Sequence, residues 1–318
     1  MITVRGLRKR FGKQQVLDGL DLEVERGSVF ALLGPNGAGK TTTVHILSTL
    51  IHADGGEMTI AGHHLARHPH RVRAAIGVTG QFSAVDAVLT GEENLLLMAD
   101  LHRLPRRQGR QTVSDLLQRF DLEDARRKVA MRYSGGMRRR LDLAMSLVGR
   151  PQVIFLDEPT TGLDPNGRRA MWELIRALAQ DGVTIFLTTQ YLDEADELAD
   201  HIAVLDRGRV VAEGSAEELK ALVPGGHVSL RFPDPPSLRA AAAMPEVVST
   251  NEGTLEIQVR SDGSVRSVRQ ILDWLDVHEV PVGDLSIHRP DLDDVFFTLT
   301  GAAPAGATRP QELEETRS

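Results

Sequence analysis

The sequence predicts an α/β fold: a partly parallel sheet with crossover helices over residues 1 to about 222, then a second, smaller α/β unit. Three observations carry that prediction. The apolar runs at 29–33, 153–156 and 184–187 are of strand length and apolar on both faces, as strands buried inside a parallel sheet are. Stretches of helical periodicity separate these runs, the alternation that crossover connections produce. Directly after the first run comes Gly34-Pro35-Asn36-Gly37-Ala38-Gly39-Lys40-Thr41, followed by a helical stretch at 42–50. Strand, Gly-rich loop and helix in that order form a phosphate-binding loop, and the order is what gives the motif its weight.

The remaining elements follow in turn. Ile202-Ala203-Val204-Leu205, the turn residues 206–209 and Val210-Val211 predict a hairpin with a Gly in its turn. Pro224-Gly225-Gly226 breaks the chain. The sequence therefore predicts a first domain at 1–222 and a small α/β domain at 227–301. In the latter, 228–232 and 255–259 are short strands, and Val265, Val268, Ile271, Leu272 and Leu275 mark a helix over 264–277. Residues 302–318, rich in Ala, Gly, Pro and Glu, predict a disordered tail. No internal repeat is visible.

Composition narrows the function classes. A chain that is 41% hydrophobic and 25% charged has enough apolar material for a sizeable core. Its net charge of −7 and its few aromatics argue against a nucleic-acid partner. The absence of cysteine removes disulfides, thiolate metal sites and cysteine nucleophiles, and fits a reducing compartment. No apolar stretch of spanning length and no apolar leader core occur, so the expectation is a soluble protein that stays inside the cell.

The chemistry is concentrated at two strand ends. The glycines Gly34, Gly37 and Gly39, with Pro35, Asn36 and Ala38, let the backbone curl so that its N–H groups face phosphate oxygens, with the helix N-terminus at Thr42 behind them. Lys40 is expected to reach the β- and γ-phosphates of a nucleotide, and the Thr41 hydroxyl to ligate Mg²⁺. The buried run 153–156 ends in Asp157, a carboxylate suited to the same metal, and Glu158 follows, suited to polarising the attacking water. Two acids after a strand can also be a solvated loop or a helix cap; a phosphate-binding loop in the same chain favours the catalytic reading.

Tyr133-Ser134-Gly135-Gly136-Met137 lies between these motifs, and with it the chain resembles the ABC ATPases over nearly all of residues 1–222. The resemblance implies a P-loop NTPase with a RecA-like core and antiparallel β and helical subdomains. It also implies that Ser134, Gly135 and Gly136 bind the γ-phosphate of ATP held by a second copy, in a homodimer sandwiched around nucleotide. Tyr133 and Met137 stand where the family has leucine and glutamine. Gln81 resembles the family's Q-loop glutamine, which senses Mg²⁺ and links the site to a separate transmembrane permease. Asp164, in Thr160-Thr161-Gly162-Leu163-Asp164, resembles the D-loop residue that crosses the dimer interface; capping of the next helix is an equally open role. Phe11 stands where the family stacks an aromatic on adenine, although a core phenylalanine fits the pattern too. Gln190 replaces the family's histidine near the γ-phosphate; its amide can donate a hydrogen bond there but cannot carry charge.

The stretch from Thr188 to Asp196 and the later Leu292-Asp293-Asp294-Val295-Phe296 with Leu299-Thr300-Gly301 resemble the daunorubicin/doxorubicin-resistance branch of drug-export ATPases. That resemblance implies an ATP-hydrolysing motor at the cytoplasmic face of the membrane, exporting an amphipathic drug through the permease. The alternatives are an exporter ATPase for a lipid, polysaccharide or ion, an importer, or a non-transport ABC ATPase or nucleotide-dependent regulator, the last supported by Gln190 alone. Translation factors of the family carry two cassettes and its repair proteins a long coiled coil before the signature; this chain has neither. Arginines at 103, 106, 107 and 110, and the run 126–128, are expected on solvated faces. Some of them lie where the family's helical subdomain faces its permease.

Overall fold

Phe30, Phe155 and Phe186 set the register of the central sheet. In the computed structural model, which describes residues 1–81, 83–223, 226–288 and 290–300, these rings lie side by side on three adjacent strands. Phe30 stacks on Phe186 at 5.3 Å between centroids, and Phe155 meets Phe186 at 5.5 Å. Each ring is fully buried, and each aromatic pair contributes about 0.5–1.5 kcal/mol beyond its area. A slip of one residue would turn the rings to the other face of the sheet, so the register is firmly specified.

The chain divides into two compact units, Met1–Ala216 and Glu217–Ser318. The first contains a six-stranded sheet in the order Arg209–Gly214, His201–Asp206, Val29–Leu33, Thr184–Thr189, Val153–Asp157 and Ile76–Thr79. All neighbours are parallel except the Arg209–Gly214 and His201–Asp206 hairpin. Val29–Leu33, Val153–Asp157 and Thr184–Thr189 are buried throughout, which explains their unbroken apolar sequence. The aromatic register pairs Leu33 with Thr189 and Asp157 with Thr188, so three chain segments leave the sheet side by side at its carboxyl edge. That edge is where ligands bind in open α/β sheets.

A second, antiparallel sheet joins Gln14–Val24, Ile2–Phe11, Gly55–Ile60 and His63–His64. Its Ile2, Val4, Leu20 and Leu22 share one core with Phe30, Phe155 and Phe186. Helices Gly91–Leu101, Arg106–Arg119 and Gly135–Leu147 lie between the strands Ile76–Thr79 and Val153–Asp157 in the chain. A complete capping box at Thr90 and Glu93 starts the first of them.

The helix after the phosphate-binding loop spans Lys40–Leu47, against the expected 42–50. Gly39, at φ +113°, lets the chain enter the helix two residues sooner, and Thr49, at φ +66°, ends it.

The second unit has a four-stranded antiparallel sheet in the order Val247–Asn251, Glu256–Arg260, His227–Arg231 and Asp284–His288. Val228 pairs with Val259 and Leu230 with Ile257, packed with Ile271 and Leu275 of the helix Val265–Val277. Ser264 caps that helix by accepting from the Ser267 amide. Helices Pro235–Ala241 and Leu292–Thr300 complete the unit. The edge strands Val247–Asn251 and Asp284–His288 are largely exposed; the first lacks apolar alternation, whereas the second has it in Leu285 and Ile287. Pro224 and Gly225 of the predicted break, and Gly301 with the tail, lie outside the described residues.

Candidate functional site at the carboxyl edge of the sheet

The Gly-rich loop is built by steric necessity at two positions. A Cβ on Gly34 would lie 2.3 Å from the Leu205 carbonyl oxygen, and one on Gly39 would lie 2.6 Å from a Leu17 methyl. The Gly34 amide donates to the Thr189 carbonyl at 3.2 Å, tying the loop to the neighbouring strand end. Ala38 and Gly39 are buried in the curl, whereas Asn36 and Gly37 are exposed at its tip. Lys40 is buried and folds back into the loop, donating to the carbonyls of Gly34 at 2.8 Å and Pro35 at 3.2 Å. Its ammonium lies 3.6 Å from a Glu158 carboxylate oxygen. Burial lowers its pKa, opposed by the attraction of Glu158 and Asp157.

Asp157 is buried beside Thr41. One carboxylate oxygen accepts from the Thr188 hydroxyl at 2.5 Å and from the Thr41 hydroxyl at 3.2 Å. The other is buried and has no protein partner. The Thr41 hydroxyl and the Asp157 carboxylate, with its unpaired buried oxygen, are hard oxygen donors of the kind Mg²⁺ prefers. Among the described residues, no three His, Asp or Glu side chains converge into a complete metal cage. Mg²⁺ typically takes one or two carboxylates and completes its shell with water and substrate phosphates, so the two findings agree.

Glu158 adopts a left-handed backbone, φ +50°, although it is not glycine. That conformation costs about 1–2 kcal/mol, and such strain persists only where the surroundings hold it. Here the Glu158 amide donates to the Thr188 carbonyl at 3.1 Å, and its carbonyl accepts from Arg139 at 3.1 Å. A hydrogen bond to a charged group contributes about 1.5–3 kcal/mol, enough to outweigh the strain. The carboxylate accepts from the Thr161 hydroxyl at 3.3 Å and faces Lys40.

Arg139 had no assigned role in the sequence reading, yet it is the hub of this region. Its guanidinium donates to the carbonyls of Pro159 at 2.8 Å, Gly80 at 2.9 Å, Asp157 at 3.1 Å and Glu158 at 3.1 Å. It also pairs with Asp142, one turn along the helix, at 3.4 Å. The Asp142 carboxylate accepts from the Ala84 amide at 3.1 Å. Burial raises the Asp142 pKa and lowers that of Arg139. Asp142 is itself buried, as are Leu141 and Leu143 on either side of it in the chain.

The other expected residues sort into those at this edge and those apart from it. Gln81 is exposed, one residue after Gly80. Gln190 follows the strand Thr184–Thr189 and is half-buried; the next amide, Tyr191, donates to the Thr189 hydroxyl at 2.9 Å. Phe11 is 50% exposed, with the Lys9 ammonium 5.2 Å from its ring centre, which rules out the core alternative. Ser134 and Gly135 are exposed at the start of the helix Gly135–Leu147, where the Ser134 hydroxyl oxygen accepts from the Met137 amide at 3.2 Å. Among the described residues, no hydrogen bond or ion pair joins Ser134, Gly135 or Gly136 to the Gly-rich loop. Asp164 is exposed and caps the helix Pro165–Gln180, accepting from the Gly167 amide at 3.3 Å.

Tyr133 is buried, and its hydroxyl donates to the Ala125 carbonyl at 2.9 Å. The larger residue is accommodated because position 91 is glycine: a Cβ there would lie 2.1 Å from the Tyr133 oxygen. Glu194 is also buried. It accepts from the Thr160 hydroxyl at 2.7 Å and the Trp172 indole at 3.2 Å, and burial raises its pKa.

Comparison with known proteins gives the family. Residues 17–161 match the family described as ABC transporter. The chain is 47% identical to a daunorubicin resistance ATP-binding protein, DrrA3, of Streptomyces coeruleorubidus, covering 94% of this chain and 96% of that one. It is 42% identical to the daunorubicin/doxorubicin resistance ATP-binding protein DrrA of Streptomyces peucetius, covering 99% and 97%. Among solved structures, the ATP-binding subunit of an ABC transporter superposes with a TM-score of 0.63 at 29% identity, over 70% of this chain and 92% of that one.

Proposed function

The chain belongs to the ABC transporter family as an ATP-binding subunit, an ATPase, and we propose that it drives export of a hydrophobic or amphipathic drug through a separate permease. The observation that carries the hydrolytic part is the convergence of Lys40, Asp157 and Glu158 at one sheet edge. In this reading the loop amides between Asn36 and Thr42 bind the phosphates, and Lys40 exchanges its loop carbonyls for phosphate oxygens. Thr41, Asp157 and Gln81 hold Mg²⁺, which supplies neutralisation of the phosphate charge. Glu158 orients and polarises the attacking water, and the Gln190 amide donates to the γ-phosphate. Phe11 offers its exposed ring to adenine.

The signature residues act on the nucleotide of a second copy. Their exposure at a helix N-terminus, unconnected to the chain's own loop, supports a head-to-tail homodimer. No helix among the described residues is long and apolar enough to cross a membrane. Attachment to the cytoplasmic face through the permease follows from the transporter reading. The cargo reading rests on the drug-resistance names of the relatives. Reconstitution with the permease in liposomes tests it: drugs of the daunorubicin type should raise ATP turnover. Turnover indifferent to amphipathic drugs but raised by a lipid or polysaccharide would replace the cargo class.

A further inference from the structure

We infer that the Arg139–Asp142 pair is a positioning element of the hydrolytic site, holding the Glu158 backbone and the segment around Gln81 in fixed register from the helix that begins at the signature. The inference rests on the proposed roles of Glu158 and Gln81. Its basis is where the donors go. One guanidinium reaches the carbonyls of Asp157, Glu158 and Pro159, three consecutive residues at the strand end, and also that of Gly80. Its partner Asp142 takes the Ala84 amide. Gly80 and Ala84 flank Gln81, so the pair holds both sides of that residue and the strand end at once.

Neutralising Asp142 would require only a positive charge. Meeting four carbonyls that lie in different directions requires the planar fork of arginine; lysine offers three donors from a single point. Side-chain exposure is 12% for Arg139 and 3% for Asp142, so water does not offer ready substitutes for these bonds. The backbone being held is the left-handed one at Glu158, whose carboxylate direction depends on that conformation. Arg139 is five residues along the helix from Ser134, about 7.5 Å of helical rise. A displacement of the signature end is therefore delivered to Glu158 and to the Gln81 segment through one side chain.

The test uses the full-length chain with ATP and Mg²⁺. Misplacing a catalytic group by about 1 Å can cost about a hundredfold. Arg139→Lys should lower kcat about ten- to hundredfold, with KM for ATP and equilibrium ATP binding within about twofold of the parent. Because Arg139 acts through Glu158, adding Arg139→Lys to Glu158→Gln should reduce the residual single-turnover rate less than about twofold. Parental kcat in Arg139→Lys overturns the inference, as does a full additional loss in the double variant. So does a parallel fall of kcat and ATP binding, the mark of a merely structural role. If Arg139→Lys does not fold, Asp142→Asn keeps an acceptor for Ala84 while removing the charge partner. It should lower kcat about three- to tenfold at unchanged KM, and an unchanged kcat overturns the proposal. Glu158→Gln alone separates the two readings. Parental turnover in that variant removes the assignment of Glu158 itself; a dead Glu158→Gln beside a fully active Arg139→Lys removes only the positioning role.

Discussion

The strand-end region around Asp157 and the signature region around Ser134 are built in opposite ways. At the strand end the chemistry is buried and internally bonded: Thr41 and Thr188 hold Asp157, and Lys40 faces Glu158. At the signature, Ser134 and Gly135 are exposed, and the serine oxygen accepts from its own helix's amide. The first is prepared to act on a ligand bound by its own chain. The second is prepared to receive one from elsewhere. Preorganisation costs buried charge, whereas exposure costs little and leaves the site incomplete until something docks.

The contrast can be tested from its strongest side first. Glu158→Gln should lower ATP turnover roughly a thousandfold while ATP binding stays intact, since it removes the water-polarising carboxylate and keeps the shape. Near-parental hydrolysis in a turnover assay would erase the distinction between an equipped strand end and a waiting signature. Gln190→Ala should cost about a hundredfold, the usual effect of losing one donor to developing charge, and Gln190→His should retain substantial activity. An alanine variant as fast as the parent would move Gln190 out of the site.

A smaller effect tests the exposed half. Lys40→Ala and Ser134→Ala subunits, each inactive alone, should complement when mixed. Random pairing makes half of the dimers mixed, each with one intact site, so about a quarter of parental turnover should return. Strict inactivity of the mixture would show that the signature does not act across subunits. Phe11→Ala should weaken ATP binding about fivefold, with little change in melting temperature, because the ring is half exposed before any ligand arrives. Loss of stability without loss of affinity would return Phe11 to a packing role.

The subtlest test concerns what burial costs. Burial raises the Glu194 carboxyl pKa despite the Thr189 and Thr160 hydroxyls, the Trp172 indole and the Arg168 charge. A carboxyl with a raised folded pKa contributes its full stability below its unfolded pKa, about 4.3, and loses it as pH rises through the folded value. Thermal denaturation of Glu194→Gln and the parent should therefore diverge in the variant's favour between pH 4 and neutrality. Parallel curves would mean that Glu194 carries no such cost.

What could be read from sequence was whatever is local. Gly34 to Thr41 and the run ending in Asp157-Glu158 carry their meaning in consecutive residues, and the structure places both at the same sheet edge. The two inner strands of the second unit were legible through Val228, Leu230, Ile257 and Val259, which face one core, though their pairing was not. Arg139 was not, because its four carbonyl partners come from two segments about twenty and sixty residues away, and backbone acceptors leave no residue pattern. The left-handed turn at Glu158 was equally silent, since glutamate has no special preference for that conformation.

Gly91 and Tyr133 pass a constraint into heredity. With a phenol oxygen 2.1 Å from where a Cβ would sit, even alanine at 91 collides with the tyrosine. Where the family keeps the shorter leucine, the atom that collides does not exist, and position 91 is free of this restriction. Tyrosine at 133 therefore restricts a site some forty residues away, unless the phenol shifts or its hydroxyl is lost.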